Sequence, residues 1–431
     1  MSSWTFVPMG QLCSIQSGKS DTKDAVPDGP YAFFDRSKTI KRSSRFIHDC
    51  EALIIPGEGA EFLPRHFIGK FDLHQRAYAL FNFAPEIDVK FLFHYLHYVA
   101  DYFPRVAVGA TVKSLRLRHF QELPVAVTER EEQQRIVAIL DEAFAGIATA
   151  KANAEANLQD AEATRVAFLR SVFDHRGSTL ATGAPASVSF GVAATDRDSD
   201  LALGVTRTGG RAAALRHIPG DFSLSVGMPA RGARPGWRWV ELAQLARLES
   251  GHTPSRRHPE YWGGDIPWLS IRDAREHHGG YVADTEEKTN ALGIANSSAR
   301  VLPAGTVCLS RTASVGYVTV TRNAMATSQD FVNWVCSPDL SPEFLKYVFL
   351  AEGRDGLLRF ASGAVHQTIY FPEAKAFHIC CPDRSEQDRI VARCDAVTAE
   401  ARRLAGVYQR KLAALDELKQ SLLHRAFSGQ L

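Results

Sequence analysis

One stretch of this chain occurs twice, and that repetition limits the possible folds more than any other feature. Glu132-Gln133-Gln134-Arg135-Ile136-Val137-Ala138 returns as Glu386-Gln387-Asp388-Arg389-Ile390-Val391-Ala392, an offset of 254 residues. At the same offset Asp141 meets Asp395, Leu158 meets Leu412, Leu169 meets Leu423 and Phe173 meets Phe427, with no gap. Self-similarity on this scale implies one structural unit used twice. In the second copy Ile390, Cys394, Val397, Ala401, Leu404, Tyr408, Leu415, Leu418 and Leu422 alternate by threes and fours. That spacing lines apolar groups along one stripe of an α-helix, the seam of a coiled coil. Lys411 interrupts the stripe, and Leu412 beside it covers the gap. The first copy carries a weaker stripe through Ile136, Leu140, Phe144, Ile147, Ala150, Ala154, Leu158 and Ala161. Neither copy contains proline, so each predicts an unbroken helix of about 40 residues, about 60 Å long. A helix with one wet face and one apolar stripe needs a partner. The simplest partner for each copy is the other.

A second repeat precedes each helix. Trp4, Val7, Gln11, Leu12, Ser17 and Gly18 recur as Trp237, Val240, Gln244, Leu245, Ser250 and Gly251, an offset of 233. Further on the offset becomes 254: Gln75 meets Gln329, and Gly109-Ala110 meets Gly363-Ala364. The expected organisation is a globular segment at 1–127, a long helix at 128–174, a flexible linker at 175–235, a second globular segment at 236–383 and a second long helix at 384–431. Strands are expected at Ala52–Ile55, Tyr78–Phe83, Leu123–Val127, Thr306–Ser310, Tyr317–Val320 and Phe377–Pro382. Helices are expected from Val89 to Tyr102, stopped at Pro104, and from Pro342 to Glu352, with Thr128 capping the first long helix. The fold class is therefore α/β in the broad α+β sense: two mixed globular domains, each followed by a long helix. Gly, Ala, Ser and Thr crowd 175–235 without periodicity, which reads as linker.

Composition narrows the function. Formal charge is +2 and 23% of residues are charged, so any basic surface must be local. Met1-Ser2-Ser3-Trp4-Thr5-Phe6 lacks the basic leader and apolar core of a signal peptide. No apolar run reaches the length of about 18 residues that a membrane span needs. Seven cysteines without a C-x-x-C pair read as buried thiols in a reducing, cytoplasmic setting.

Several stretches imitate active sites. Ser17-Gly18-Lys19-Ser20 resembles the end of a phosphate-binding loop, but the glycine such a loop needs four residues earlier is missing. Asp265-Ile266-Pro267-Trp268 resembles a methyltransferase motif and reads better as a turn with a packed tryptophan. Glu286-Glu287-Lys288 with Asp265 or Asp273 could form a metal-dependent nuclease site. His277-His278 lacks a third ligand at metal-site spacing and reads as solvated loop histidines. Basic residues carry more weight. Arg36, Lys38, Lys41, Arg42 and Arg45 cluster in the first segment, with Lys19 upstream. Arg256, Arg257, Arg272 and Arg275 form a comparable group in the second, near Tyr261, Trp262 and Trp268, and Arg311 lies in a loop. Such side chains neutralise phosphates and read guanine edges.

These marks together resemble the specificity subunit of type I DNA restriction–modification enzymes. They are Trp-x-x-Val at Trp4 and Trp237, Ser-Gly-x-Thr-Pro at Ser250–Pro254, Ile266-Pro267-Trp268, the Gly-Ala loops and the Glu-Gln-x-Arg-Ile-Val helix starts. The first unit departs in having Ser-Gly-Lys-Ser, with Tyr31-Ala32-Phe33 near where Ile-Pro-Trp would stand. The resemblance implies two target-recognition domains, each gripping half of a split double-stranded DNA site. Their helices would pair antiparallel as a coiled-coil spacer. It implies docking of two methyltransferase subunits, joined by restriction–translocase subunits. The chain itself would then be non-catalytic and without a cofactor or metal. S-adenosylmethionine, ATP and Mg²⁺ would belong to its partners. Two alternatives stay open on the residues alone: a nuclease acting through Asp265, Glu286 and Lys288, and a coiled-coil adaptor without a DNA role.

Overall fold

The computed structural model describes residues 4–175, 217–312, 314–363 and 366–431. It divides into two compact units, residues 1–158 with 406–431, and residues 159–405. In the first, β1 (Thr5–Pro8), β2 (Ser14–Ser17), β3 (Tyr31–Phe34), β4 (Lys41–Ser43), β5 (His48–Pro56), β6 (Arg65–Leu73), β7 (Ala77–Phe81) and β8 (Pro124–Val127) follow in order. They form a six-stranded sheet, β2-β7-β5-β6-β3-β4, and a separate β1-β8 pair. The second unit contains β9 (Ile218–Pro219), β10 (Leu224–Val226), β11 (Arg238–Glu241), β12 (Ala246–Ser250), β13 (Trp262–Leu269), β14 (Tyr281–Val282) and β15 (Lys288–Thr289). It continues with β16 (Val307–Ser310), β17 (Val318–Thr321), β18 (Ala326–Thr327), β19 (Phe331–Cys336) and β20 (Phe377–Cys381). Its main sheet, β12-β19-β16-β17-β14, repeats the first unit's order. Each main sheet contains one parallel pair, β3 with β6 and β14 with β17, and in the first unit β4 adds one more antiparallel strand beyond it.

Two 44-residue helices dominate the rest, a central one at Arg130–Phe173 and a terminal one at Arg384–Phe427. Their inward faces follow a seven-residue period without interruption. In the central helix Gln133, Leu140, Ile147, Ala154, Ala161 and Phe168 are buried or half-buried, as are Val137, Phe144, Lys151, Leu158, Arg165 and Val172. In the terminal helix the same holds for Gln387, Cys394, Ala401, Tyr408, Leu415 and Leu422, and for Val391, Thr398, Ala405, Leu412, Lys419 and Ala426. The second row differs from the expected stripe by one residue. Leu412 faces inward in place of Lys411, as expected, but Leu418 is 47% exposed. Apolarity misled because Ile390 serves the second unit's own core. Lys419 instead lays its stem inward, with its ammonium 5.1 Å from the Phe144 ring. Within the first unit Lys151 also pairs with Asp416, and Arg135 Nη2 donates to the Leu431 carbonyl at 2.8 Å. Numbers rise along one helix as they fall along the other, so these segments run antiparallel.

Each helix is pinned at its start by a buried glutamine. Gln133 Oε1 accepts from Asp88 N–H at 2.8 Å, and its Nε2 donates to the carbonyls of Glu86 and Thr128 at 2.9 and 2.7 Å. Gln387 repeats this with Ser341 N–H at 2.9 Å and the carbonyls of Asp339 and Pro382 at 3.0 and 3.1 Å. Ends are pinned by aromatic packing. Phe427 meets Phe91 and Phe173 meets Phe344, with centroids 5.2 and 5.4 Å apart. Trp4 and Trp237 complete the two groups. One helix-cap expectation fails: the Thr128 hydroxyl is buried without a partner. Asp383 caps the terminal helix by accepting from Glu386 N–H at 2.9 Å.

Other expectations also shift. Val89–Tyr98 ends before Pro104, which sits in the first turn of a short helix, Tyr102–Val106, where its missing N–H costs nothing. The helix from Pro342, by contrast, runs to Glu352 as expected and breaks at Gly353, whose φ is 65°. Trp268, expected in a turn, is buried in β13, its Nε1–H donating to the His252 carbonyl at 3.1 Å. The linker expectation holds no structure to compare at 176–216, which lie outside the described residues, as does Ala364. Residues 217–235, also assigned to linker, belong to the second unit. There β10 pairs with β20, and Glu352 accepts from the N–H groups of Asp221, Phe222 and Leu224. Phe222-Ser223-Leu224-Ser225-Val226 alternates apolar and polar residues as a strand does, but over only five residues inside a Gly-, Ala- and Ser-rich segment. All seven cysteines are free, and among the described residues no helix is long and apolar enough to cross a membrane.

His175 ties this added segment to the end of the central helix. Its Nε2 lies 3.0 Å from Ser223 Oγ, which donates to the Phe173 carbonyl at 3.0 Å. Burial pushes the imidazole down to about 4, with Arg234 and Arg231 adding to the effect. A depressed folded value means stability that is full above the unfolded value near 6.5 and is lost as pH falls through about 4. His175→Gln should therefore remove about 3 kcal/mol of the pH dependence between pH 7 and pH 4. Denaturant midpoints across that range would check it, and equal slopes in both proteins would refute it. Gln133→Ala and Gln387→Ala each strand three buried or half-buried backbone groups. Each should cost about 3 kcal/mol, whereas Gln134→Ala on the exposed face should cost under about 0.5 kcal/mol.

Candidate nucleic-acid interface

Both units bring the same loops together at one end of the main sheet. In the first, Gly57 N–H donates to the Arg76 carbonyl and Leu115 N–H to the Gly57 carbonyl, both at 2.8 Å. In the second, Arg311 N–H donates to the Asp330 carbonyl at 2.8 Å and Ile369 N–H to the Arg311 carbonyl at 2.9 Å. Every partner is offset by 254 residues. Gly109 and Gly363 carry φ of 122° and 119° and turn matching loops that a side chain would strain. Those loops close through reciprocal backbone bonds between Val108 and Ser114, and between Ser362 and Thr368.

The glycine of each Ser-Gly pair lets the opening loop touch this weave. A Cβ on Gly18 would overlap the Leu73 carbonyl, and one on Gly251 the Ser328 carbonyl. Lys19 and Ser20 N–H groups both donate to Leu73 O at 3.2 Å. They are spent within the protein, which removes the phosphate-loop reading.

The cations expected from sequence fall into two groups. Lys19, Arg36 and Arg257 are exposed and have no side-chain partner among the described residues. The rest have partners. Lys41 pairs with Asp35 at 2.6 Å and Lys38 with Glu61 at 2.9 Å. Arg42 Nε donates to the Gly29 carbonyl at 2.7 Å. Arg45 serves Asp72, a fully buried carboxylate that also accepts from Ser20 and Ser43. Arg256 lies 3.8 Å over the Trp262 ring and pairs doubly with Glu287. That hydrogen bond holds Arg256 above its usual value and Glu287 below its own. Arg272 pairs with Glu286, and Arg275 lies 5.9 Å from the Tyr317 ring centre. Arg311 donates to the Gln329 carbonyl at 3.2 Å and covers Phe371, bracing the loop weave from inside.

The nuclease alternative fares poorly on geometry. Asp273 caps its own helix through Ser270 and accepts from Glu286 N–H. Lys288 pairs with Asp284 at 2.8 Å. No group of three potential metal ligands occurs among the described residues. His278, expected to be solvated, accepts from Val318 N–H at 3.1 Å.

Residues 1–158 and 235–407 each match the type I restriction modification DNA specificity domain. The chain belongs to that family. The MjaIX specificity subunit of Methanocaldococcus jannaschii is 30% identical over 159 residues, 36% of each chain. The EcoDI specificity subunit of Escherichia coli is 28% identical over 152 residues, 35% of this chain and 34% of that one. The matched segments thus span about a third of these relatives. Among solved structures, a chain of a type I R-M system superposes with a TM-score of 0.70 at 17% identity, covering 99% of this chain and 98% of its own. The HsdS subunit of Thermoanaerobacter tengcongensis gives 0.50 at 17%, covering 99% and 97%. Both likenesses concern the fold.

The two specificity domains place side chains at the loop weave that the basic clusters did not reveal, Glu58, Arg76 and Arg116 among them. Gln75 and Gly109 stood out only as repeat markers. If the unpaired cations meet phosphates, Lys19→Ala, Arg36→Ala and Arg257→Ala should each lower the log–log salt slope of duplex binding by about 0.9. Arg45→Ala should instead lower stability by about 1–3 kcal/mol by leaving the Asp72 carboxylate short of a partner. Salt titrations beside denaturant melts would separate the two groups, and equal effects on both would overturn the division.

Proposed function

We propose that this chain is the specificity subunit of a type I restriction–modification complex and reads a two-part double-stranded DNA site. The observation that carries this is the doubled architecture: one loop weave, built twice on identical backbone bonds, carries unlike side chains. Two unlike readers suit an asymmetric site. The long helices, each shared between both units, would set the interval between half-sites. They would also dock two methyltransferase subunits, with restriction–translocase subunits joining that core. Methyl transfer from S-adenosylmethionine and ATP- and Mg²⁺-dependent cleavage would then lie in those partners, and the complex would act in the cytoplasm.

Seven residues inserted into both helices at matched heptad positions add about 10 Å. At 3.4 Å per base pair this should lengthen the unread spacer by about three base pairs. Mapping methylated adenines in cells carrying the variant would show it, and an unchanged spacer would count against the helices as the measure. The chain purified alone should leave duplex DNA uncut in Mg²⁺; cleavage would revive the nuclease alternative.

A further inference from the structure

The loop weave of the first unit borders an open cavity of about 350 Å³, lined by Glu58, Gln75, Arg76, Tyr78, Ser114 and Arg116. Its chemistry does not suit a phosphate. The Glu58 carboxylate is 10% exposed, accepts from Ser114 Oγ at 3.1 Å and pairs with Arg76 Nη1. A carboxylate on the cavity wall repels an anion, but it accepts well from a base amino group. The Arg76 side chain is 59% exposed. With one nitrogen held by Glu58, its remaining donors form a pre-aimed fork of the kind that pairs with guanine O6 and N7. Gln75 beside it is exposed.

Comparison of the two units isolates which of these positions are free to differ. At the offset of 254, Ser114 becomes Thr368 and Gln75 stays Gln329, while Glu58 becomes Thr312, Arg76 becomes Asp330 and Arg116 becomes Tyr370. The backbone bonds on both sides of these residues are the same. A position that carries a cation in one copy and a carboxylate in the other has no common packing role and no common phosphate role. What varies on a constant backbone is the pattern of donors and acceptors.

Resting on the duplex-recognition reading above, we propose that Glu58, Arg76 and Arg116 in the first unit, and Thr312, Asp330 and Tyr370 in the second, determine which base pairs each unit accepts. The first unit takes a G·C pair through the Arg76 fork, with Glu58 aiming it. The second has no fork there. Asp330 accepts from an exocyclic amino group, of adenine or cytosine, and Tyr370, 47% exposed, supplies an apolar face beside it.

The test is selection of bound duplexes from a random pool, using the full chain purified with its bound subunits. The wild type should yield a two-part motif. Arg76→Gln, and Arg76→Lys, which keeps the charge and the Glu58 contact but loses the fork, should each cut the preference for G·C at one position of one half by tenfold or more. The other half and the spacer should not change, which also reports that the protein is folded. Asp330→Asn should alter only the opposite half. If the variants select the wild-type motif with uniformly weaker binding, the assignment is wrong and these groups serve the backbone or the fold. If the wild type itself selects no motif, the recognition reading fails and takes this assignment with it.

Discussion

A single buried amide at the head of each long helix holds the architecture together. An amide has one acceptor oxygen and two donor hydrogens, and Gln133 and Gln387 each use all three on backbone groups. Glutamate would set an acceptor against two carbonyls and leave them unsatisfied in a buried site. The neighbouring position tolerates Gln134 in one copy and Asp388 in the other, because it faces solvent. The clamp also fixes rotation. Gln133 and Gln387 are the first members of the inward-facing rows, so pinning them to the globular loops determines which face of each helix turns inward for the next five heptads.

Within each unit a clamped helix start and a packed helix end contribute to one core. The first unit's core takes in Leu423, Ala426 and Phe427 from the terminal helix, and the second unit's core takes in Leu169, Val172 and Phe173 from the central one. Each unit thus holds the beginning of its own helix and the end of the other. The same Trp–Phe–Phe group closes both cores, which gives a physical meaning to the paired Trp-x-x-Val openings and the paired terminal phenylalanines. Burying one such phenylalanine is worth about 2–3 kcal/mol, so removing either helix end would open a core and not merely shorten a rod.

How much of this could be read from the residues follows from what each feature depends on. The helices were legible because seven-residue periodicity and an exact offset survive over 40 positions. The rotation of the second row was not. It depends on Ile390 being claimed by the domain core and on Lys419 lying over an aromatic ring, both tertiary facts. Phe222–Val226 was lost for a different reason: its alternation spans five residues, too short to stand out inside a Gly-, Ala- and Ser-rich segment. The basic clusters were visible, but charge counts do not reveal partners. Arg45 looks like a phosphate ligand in sequence and is in place a countercharge for Asp72. The loop weave was marked only by Gln75, Gly109 and their repeats, since its bonds are backbone to backbone and leave little trace in side-chain identity.

The two units also solve one shared problem differently, and the difference shows where divergence is allowed. β8 and β20 each have one edge paired, to β1 and β11. In the second unit β10 covers the other edge, with Cys380 N–H donating to the Ser223 carbonyl at 2.9 Å. In the first unit the Tyr95 hydroxyl donates to the Pro124 carbonyl at 2.7 Å. Matching the helix caps Asp88 and Ser341 puts Val348 where Tyr95 stands, and valine has no hydroxyl to offer. A buried strand edge must be satisfied by something. One copy uses a side chain and the other uses a segment of main chain, while the glutamine clamp beside both is unchanged. Positions whose job is to satisfy a particular set of backbone atoms in one geometry admit one residue type. Positions whose job can be done by another element, or that face outward from a fixed loop, are the ones at which two copies of one unit can come to differ.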